Sequence, residues 1–355
     1  MVAKQILKTI SLPWHTKFLA VPNHATRPFF GLFPKKIGGP DLKIQRLERH
    51  FGNYWFNHNL LYVLSGKPIP LTYLQMAKNR GCKVIFNQDG VYFPAWFKGD
   101  YEKKNRCLKS YHELADFVIY QSQFCFESAK EFIRPPERPH EIIHNGVDIN
   151  RFALKPQRQE GRPFRILAAA YFNSSKEYLL EFVLNVAKKI KEEGFNATVL
   201  IAGQIEHGPK QLKTLAKKIG ITEGFQYLGP YSWNRFPSIL AEADIFLHCV
   251  FNDACPNAVL EAMAVGLPVV YGDSGGTREL VGEGGLAVPV SRSFESVSLP
   301  PMSNLIQAIQ QACNTYADLS AKARRRTEEL FSERHWLERH RHLMAGMMTN
   351  GRRHE

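Results

Sequence analysis

None of the six cysteines, at positions 82, 107, 125, 249, 255 and 313, forms a C-x-x-C pair, so the spacing that builds zinc sites and redox pairs is missing. Their scatter also excludes a disulfide scaffold; free thiols in a reducing compartment are expected. Long apolar runs are lacking too. No stretch reaches the roughly 18 apolar residues needed to cross a membrane. The opening segment is interrupted by Lys4, Lys8, Pro13, His15 and Lys17 before a signal-peptide core could form, so a cytoplasmic protein is expected. Repeats and low-complexity tracts are absent, which leaves an ordinary globular composition with 44% hydrophobic and 22% charged residues. A chain of 355 residues exceeds what one core usually serves, so two domains are expected.

Acidic residues are the scarcer sign, and the shortage lies in the first half. Residues 1–150 hold 21 Lys or Arg against 12 Asp or Glu, while the rest hold 25 against 21. A basic surface attracts nucleic acid, anionic head groups or an anionic substrate. No zinc-finger, KH or RNP signature accompanies it, so no nucleic-acid partner is expected; contact with a membrane surface stays open.

The second half alternates apolar runs of strand length with amphipathic helical stretches, the pattern of a parallel sheet with crossover helices. Strands are expected at 164–172, 197–203, 225–228, 245–250 and 268–271. Helices are expected at 176–193, 208–219, 233–243 and 257–265, with a glycine turn at 272–276. The first half repeats the style less cleanly, with strands at 60–64, 82–86, 117–121 and 142–144 and helices at 71–80, 101–115 and 123–132. Residues 145–162 are polar and rich in turn formers, which puts the interdomain connection there, while 291–303 reads as a surface loop. Helices at 305–313, 320–330 and 332–348 close the chain. The reading is an α/β protein of two Rossmann-like domains, 1–150 and 151–330, followed by a helix at 331–355.

The stretch from Asp253 to Glu261 (DACPNAVLE) lies between a strand and a helix, at the carboxyl edge of a parallel sheet where open α/β folds bind ligands. Pro256 and Asn257 suit a helix start, whose free N–H groups and positive dipole end make an anion site fit for a diphosphate. Glu261, one turn inside, could accept paired hydrogen bonds from a ribose diol, and Asp253 from hexose hydroxyls. A second glycine turn into a helix start follows at Gly275, Gly276 and Thr277.

These residues resemble the E-x7-E motif of retaining GT-B glycosyltransferases of family 4. Asn145-Gly-Val-Asp148 with Arg151-Phe152 resembles the interdomain motif of that family, and Gly38-Gly39-Pro40 its N-terminal glycine loop. Gly275-Gly-Thr-Arg-Glu279 with Gly284-Gly285 resembles its final donor loop. The resemblance implies that Glu261 contacts ribose, Asp253 the donor sugar, and the backbone of Cys255, Pro256, Asn257 and Ala258 the sugar and phosphates. By the same resemblance Lys176 would bind diphosphate, Gly229 and Tyr231 would border the base, and a final helix would cross back to the first domain.

It further implies glycosyl transfer from a nucleotide-sugar to a glycan, lipid-linked or protein acceptor, with retention of configuration and neither metal nor cofactor. Tyr171 stands where the family carries Arg, and its first acid is here Asp253. In place of its N-terminal His the strand end reads Asn87-Gln-Asp-Gly90, so that Asp89 becomes the candidate to hold or deprotonate the acceptor hydroxyl. These departures keep open a non-catalytic nucleotide-sugar-binding or scaffold protein on the same fold. His248 and Cys249 read as buried core, and the His-rich tail as a solvated helix face.

Overall fold

The structure is a computed structural model that describes residues 26–31, 39–156 and 158–349. Gly38 lies outside the described residues. Strands β1 (Pro28–Phe29), β2 (Leu60–Leu64), β3 (Lys83–Gln88), β4 (Phe117–Tyr120) and β5 (His140–Ile142) form one parallel sheet in sequential order. Helices α1 (Gly39–Phe51), α2 (Leu71–Asn79), α3 (Tyr101–Leu114) and α4 (Gln123–Phe132) connect them. Strict alternation splits each strand between two cores. Leu61 and Val63 of β2 face a cluster with Phe86, Leu108 and Ala129, whereas Leu60, Tyr62 and Leu64 face one with Ile44, Leu47 and Trp336.

The second sheet comprises β6 (Phe164–Ala169), β7 (Ala197–Ala202), β8 (Phe225–Gly229), β9 (Ile245–His248), β10 (Val269–Asp273) and β11 (Gly285–Pro289). Its spatial order is β11-β10-β9-β6-β7-β8, all parallel. Counted from β6 this is 3-2-1-4-5-6, the dinucleotide-binding order, whose direction of winding reverses between β6 and β9. Helices α5 (Glu177–Glu192), α6 (Pro209–Ile219), α7 (Phe236–Glu242), α8 (Asn257–Ala264), α9 (Thr277–Val281), α10 (Met302–Asn314) and α11 (Tyr316–Leu330) cover it.

The last helix, α12 (Glu333–Thr349), returns to the first sheet, where Trp336 and Met344 join the core with Ile44, Leu47 and Ile143. A directed chain of hydrogen bonds fixes its register. Gln121 Nε2 donates to Asn87 Oδ1 (2.9 Å), Asn87 Nδ2 to the Tyr62 hydroxyl (2.7 Å), and that hydroxyl to His340 Nε2 (2.8 Å), while His340 Nδ1 donates to the Trp336 carbonyl (2.7 Å). All four side chains are buried, so each polar atom in the chain needs the next. Return and departure meet where Val147 donates to the Phe331 carbonyl and accepts from the Glu333 N–H, both at 2.8 Å.

Several local expectations change. Residue 39 opens a helix instead of continuing a glycine loop, because Asp41 in its first turn suits the positive helix end and pairs with Lys67 at 2.7 Å. The fifth strand is His140–Ile142, not 142–144. Gly272 belongs to β10, so the turn narrows to residues 274–276; helix α7 starts at Phe236 instead of 233. Strands Pro28–Phe29 and Gly285–Pro289 had too little pattern to be noticed. Residues 291–303 are no plain surface loop: Phe294 is buried against Phe93, Phe124 and Phe132 of the first domain, and its carbonyl accepts from Ala95 N at 2.9 Å.

Burial holds His112 and His248 at about 4 and His340 at about 3, against 6.5 for a free imidazole. They are neutral when folded. Depressed folded values mean that the stability they contribute is present above pH 6.5 and lost as pH falls toward 4, because the unfolded chain then takes up protons that the folded one refuses. Each histidine should cost about 1.4 kcal/mol at one pH unit below its free value. Urea midpoints at neutral and mildly acidic pH check this. A stability unchanged between them would show that these imidazoles are not buried neutral.

Candidate active site

The cleft is built at the switch point of the second sheet. Helix α8 starts after Pro256, whose extended conformation (φ −67°, ψ 112°) ends the loop from β9, and no side chain caps it. Val259 N–H turns back to the Pro256 carbonyl at 3.2 Å, and no side chain caps the N–H groups of Asn257 and Ala258 ahead of it. Ahead of it the loop of Asp253 and Ala254 is pressed against the turn after β10. Gly276 N donates to the Asp253 carbonyl at 2.8 Å; a Cβ on Gly275 would fall 2.2 Å from that carbonyl oxygen, and one on Gly276 2.1 Å from that of Ala254. Only glycine allows the two loops this approach, which brings Asp253, Cys255, Pro256, Asn257, Ala258, Gly275, Gly276 and Thr277 into one wall. The Thr277 hydroxyl is buried there without a partner.

Glu261 lines the cleft one turn into α8 and is only 8% exposed. Burial pushes its carboxyl up to about 7, opposed by a hydrogen bond from Trp233 Nε1 (3.3 Å) and by Arg46 and Arg151. Trp233 is held in turn by the Arg151 guanidinium, 3.4 Å above its ring. Tyr231 stacks on Phe236 with ring centroids 4.6 Å apart, and burial, then Glu261, raises its hydroxyl pKa. Gly229, with φ +81°, ends β8 just before this pair.

Asp253 sits at the opposite end of the wall. His248 Nε2 approaches it to 3.8 Å, yet the imidazole is neutral and that nitrogen makes no hydrogen bond, so the contact is not an ion pair. Lys176 ends a single 3-10 turn (Ser174–Lys176) ahead of α5 and is close enough to lower the His248 pKa further. Tyr171 is 48% exposed.

The first domain closes the other side. Gly39 faces α8, and a Cβ added to it would fall 3.1 Å from the Asn257 side-chain Nδ2. Asp89, at the end of β3, is bonded by the Ser65 hydroxyl and lies near Gly90, which faces Ala254 across the cleft. Lys43 and Arg46 of α1 line the same cavity as Glu261, Asn257 and Asn145. Asn145 binds the Cys255 carbonyl through Nδ2 (3.0 Å) and leaves Oδ1 buried and unpaired. Glu279 reaches across to the N-terminus of α4, accepting from Gln123 N (2.7 Å), Phe124 N (3.0 Å) and His144 Nε2 (3.0 Å). Lys43, Arg46 and Trp233 carry no signal along the chain, because their relation to Glu261 is purely spatial. Among the described residues no group of three or more His, Cys, Asp or Glu could hold a metal ion, and no helix is long and apolar enough to cross a membrane.

Two parallel sheets facing across such a cleft are matched in solved structures. Anabaena Alr3699/HepE in complex with UDP-glucose superposes with a TM-score of 0.65 at 16% identity, covering 92% of this chain and 98% of that one. The fold is GT-B. Sucrose-phosphate synthase from Thermosynechococcus elongatus shares this GT-B architecture with a TM-score of 0.66 at 15% identity over 88% of this chain and 78% of its own. The GT-B domain that carries the wall matches the family model of glycosyl transferases group 1 over residues 163–297.

Among curated proteins, the putative colanic acid biosynthesis glycosyltransferase WcaL of Escherichia coli is 29% identical over 154 residues, 41% of this chain and 37% of its own length. The amylovoran biosynthesis glycosyltransferase AmsK of Erwinia amylovora is 30% identical over the same shares. A GDP-Man:Man(3)GlcNAc(2)-PP-Dol alpha-1,2-mannosyltransferase of Dictyostelium discoideum is 24% identical over 54% of this chain and 39% of its own. The chain thus spans less than two fifths of the length of these relatives.

Raising the Glu261 pKa to about 7 means the folded state retains a proton that the unfolded one releases. Its stability contribution is full below 4.5, the ordinary value of a glutamate carboxyl, and lost as pH rises to about 7. Glu261→Gln should therefore raise ligand-free stability near pH 8 by on the order of 1–3 kcal/mol, while the hydrogen bond from Trp233 can persist. Chemical denaturation at pH 5 and pH 8 reads this; a variant destabilised at both would show that the carboxylate is needed structurally.

Proposed function

We propose that this protein transfers a glycosyl group from a nucleoside-diphosphate-sugar to an acceptor hydroxyl. The observation that carries the reading is the buried Glu261 carboxylate one turn inside an uncapped helix start, at the switch point of a dinucleotide-type sheet and facing a second domain. The names of the relatives and the UDP-sugar complex of a GT-B neighbour support it.

In this reading Glu261 and Asn145 take the ribose hydroxyls, Tyr231 and Trp233 border the base, and the α8 N-terminus with Lys176 takes the diphosphate. Asp253 orients the donor sugar. The bond between the anomeric carbon and the phosphate oxygen breaks, the acceptor oxygen bonds that carbon, and its proton leaves through Asp89 or the departing phosphate. Helix dipoles and ammonium groups fixed beforehand stabilise the charge that develops on the leaving group, so that no metal or resident cofactor is required. Enclosure by the two domains keeps water from the activated sugar. We assign retention of configuration on the resemblance of the two acids, and a glycan, lipid-linked or protein acceptor on the same ground. Contact of the basic first half with an anionic membrane surface belongs to the same proposal.

Incubation with UDP-, GDP-, ADP- and TDP-sugars should give binding of at least one donor and slow release of its nucleoside diphosphate. Glu261→Ala should weaken that donor by tenfold or more, the usual cost of removing a charged hydrogen-bonding partner. Failure of every donor to bind would refute the reading; binding without cleavage, with every acceptor tried, would favour a nucleotide-sugar-binding protein on this fold.

With an acceptor in hand, activity should survive EDTA and the product should keep the donor's anomeric configuration by NMR. An inverted product would sink the retention assignment, and loss of activity in EDTA restored by a divalent cation would sink metal independence.

A further inference from the structure

Lys43 sits in the first domain, on a helix that the donor reading does not use. Its side chain is 8% exposed and lines the cavity shared by Asn257 and Glu261. Among the described residues it makes no hydrogen bond and no ion pair. Its nearest charges are the Asp89 carboxylate, already bonded by Ser65, and Arg46; the thiols of Cys255 and Cys125 also face it. Arg46 is committed elsewhere, to the Gly146 carbonyl at 2.6 Å and to Glu333 at 3.4 Å. Lys43 is therefore a largely buried cation that no carboxylate contacts directly, Asp89 acting on it only from a distance, a state that costs free energy unless a ligand supplies a closer anion.

The position of Lys43 narrows what that anion can be. Lys43 shares its cavity with Asn257, in the first turn of α8, and its electrostatic neighbours are Asp89 and the thiol of Cys255, just ahead of that helix start. Beside the acceptors Glu261 and Asn145 Oδ1, the cavity gathers donors from both domains: the uncapped start of α8 with the Asn257 side-chain amide from one, Lys43 from the other. Donors converging from two sides favour a ligand that is acceptor-only and multiply charged. Tyr171, at the end of β6, cannot contribute charge, which leaves Lys176 as the cation of the second domain.

We propose that Lys43 grips the diphosphate of the donor from across the cleft, opposite the α8 N-terminus. The inference rests on the donor reading and adds that the diphosphate ties the two domains together, because its cations come from both. Burial lowers the Lys43 pKa to about 8, so the side chain is still charged at neutral pH and ready for an anion.

The test compares the full chain with Lys43→Met, Lys43→Arg and Glu261→Ala, using calorimetric titration of UDP, GDP, ADP and TDP beside the parent nucleosides, with melting of each ligand-free variant. Lys43→Met should lose tenfold or more in affinity for the nucleoside diphosphate and less than twofold for its nucleoside. Its ligand-free melting temperature should hold or rise, since an uncompensated buried charge is gone. Lys43→Arg should recover most of the affinity. Diphosphate binding by Lys43→Met equal to wild type, with Glu261→Ala impaired, overturns the assignment of Lys43 and leaves the donor reading intact. So does an equal loss for nucleoside and diphosphate accompanied by a lower melting temperature, which marks a structural lysine. A wild-type chain that binds none of the four overturns both.

Discussion

Where the chain leaves the first sheet and where it comes back, Val147 exchanges two backbone hydrogen bonds with residues 331 and 333. The arrangement of the cleft depends on this crossing. Without it the wall of α8 and the helix α1 would be carried by two bodies joined by a polar connection; with it, Asn145 is held against Cys255 and Arg46 against Gly146. Further ties lie away from the crossing, at Glu279 on the start of α4 and at Phe294 among the aromatic rings of the first domain. The contacts at the crossing are a pair of backbone bonds and sequence-tolerant, while those at the rim hang on two side chains, Glu279 and Phe294, with one backbone bond from Ala95 N to the Phe294 carbonyl. A change in cleft width would therefore break the rim contacts first and leave the crossing in place.

The cleft holds charges of both signs that its own residues do not satisfy. Glu261 is buried deeply enough to stay half protonated near neutrality, and Lys43 deeply enough to approach the loss of its proton. Asn145 Oδ1, Thr277 Oγ1 and His248 Nε2 add unpaired polar atoms. Native proteins leave few such groups, and three of them around one cleft suit a partner with complementary polarity. The ligand-free fold carries the cost of that readiness, which is why removing either charge is expected to stabilise it.

Much of the second domain could be read directly because each of its helices buries a clear stripe and each strand a continuous run. Residues 177–192 fall almost where periodicity put them, as does helix 123–132 in the first domain. The wall of the cleft was legible for the same reason: Asp253, Pro256 and Glu261 are local in sequence. What stayed hidden depends on proximity across the chain. Lys43 looked like one basic residue among many, and Trp233 like part of a helix, until folding placed both beside Glu261. Phe294 sits in a stretch with no periodicity, since a single aromatic that plugs another domain leaves no repeating trace. Residue 39 was mistaken for a loop because glycine and proline signal turns, yet both also suit a helix start.

The buried chain of hydrogen bonds from Gln121 to Trp336 joins a strand of the first domain to a helix made some two hundred residues later. As the polypeptide emerges from the ribosome, the first sheet must wait: the Tyr62 hydroxyl lacks its acceptor, and Ile44 and Leu47 lack the cover of Trp336, until α12 has been translated. The second domain is continuous and has no such dependence. Folding order during synthesis should therefore run against the usual N-terminal-first sequence, with the second domain complete before the one that precedes it.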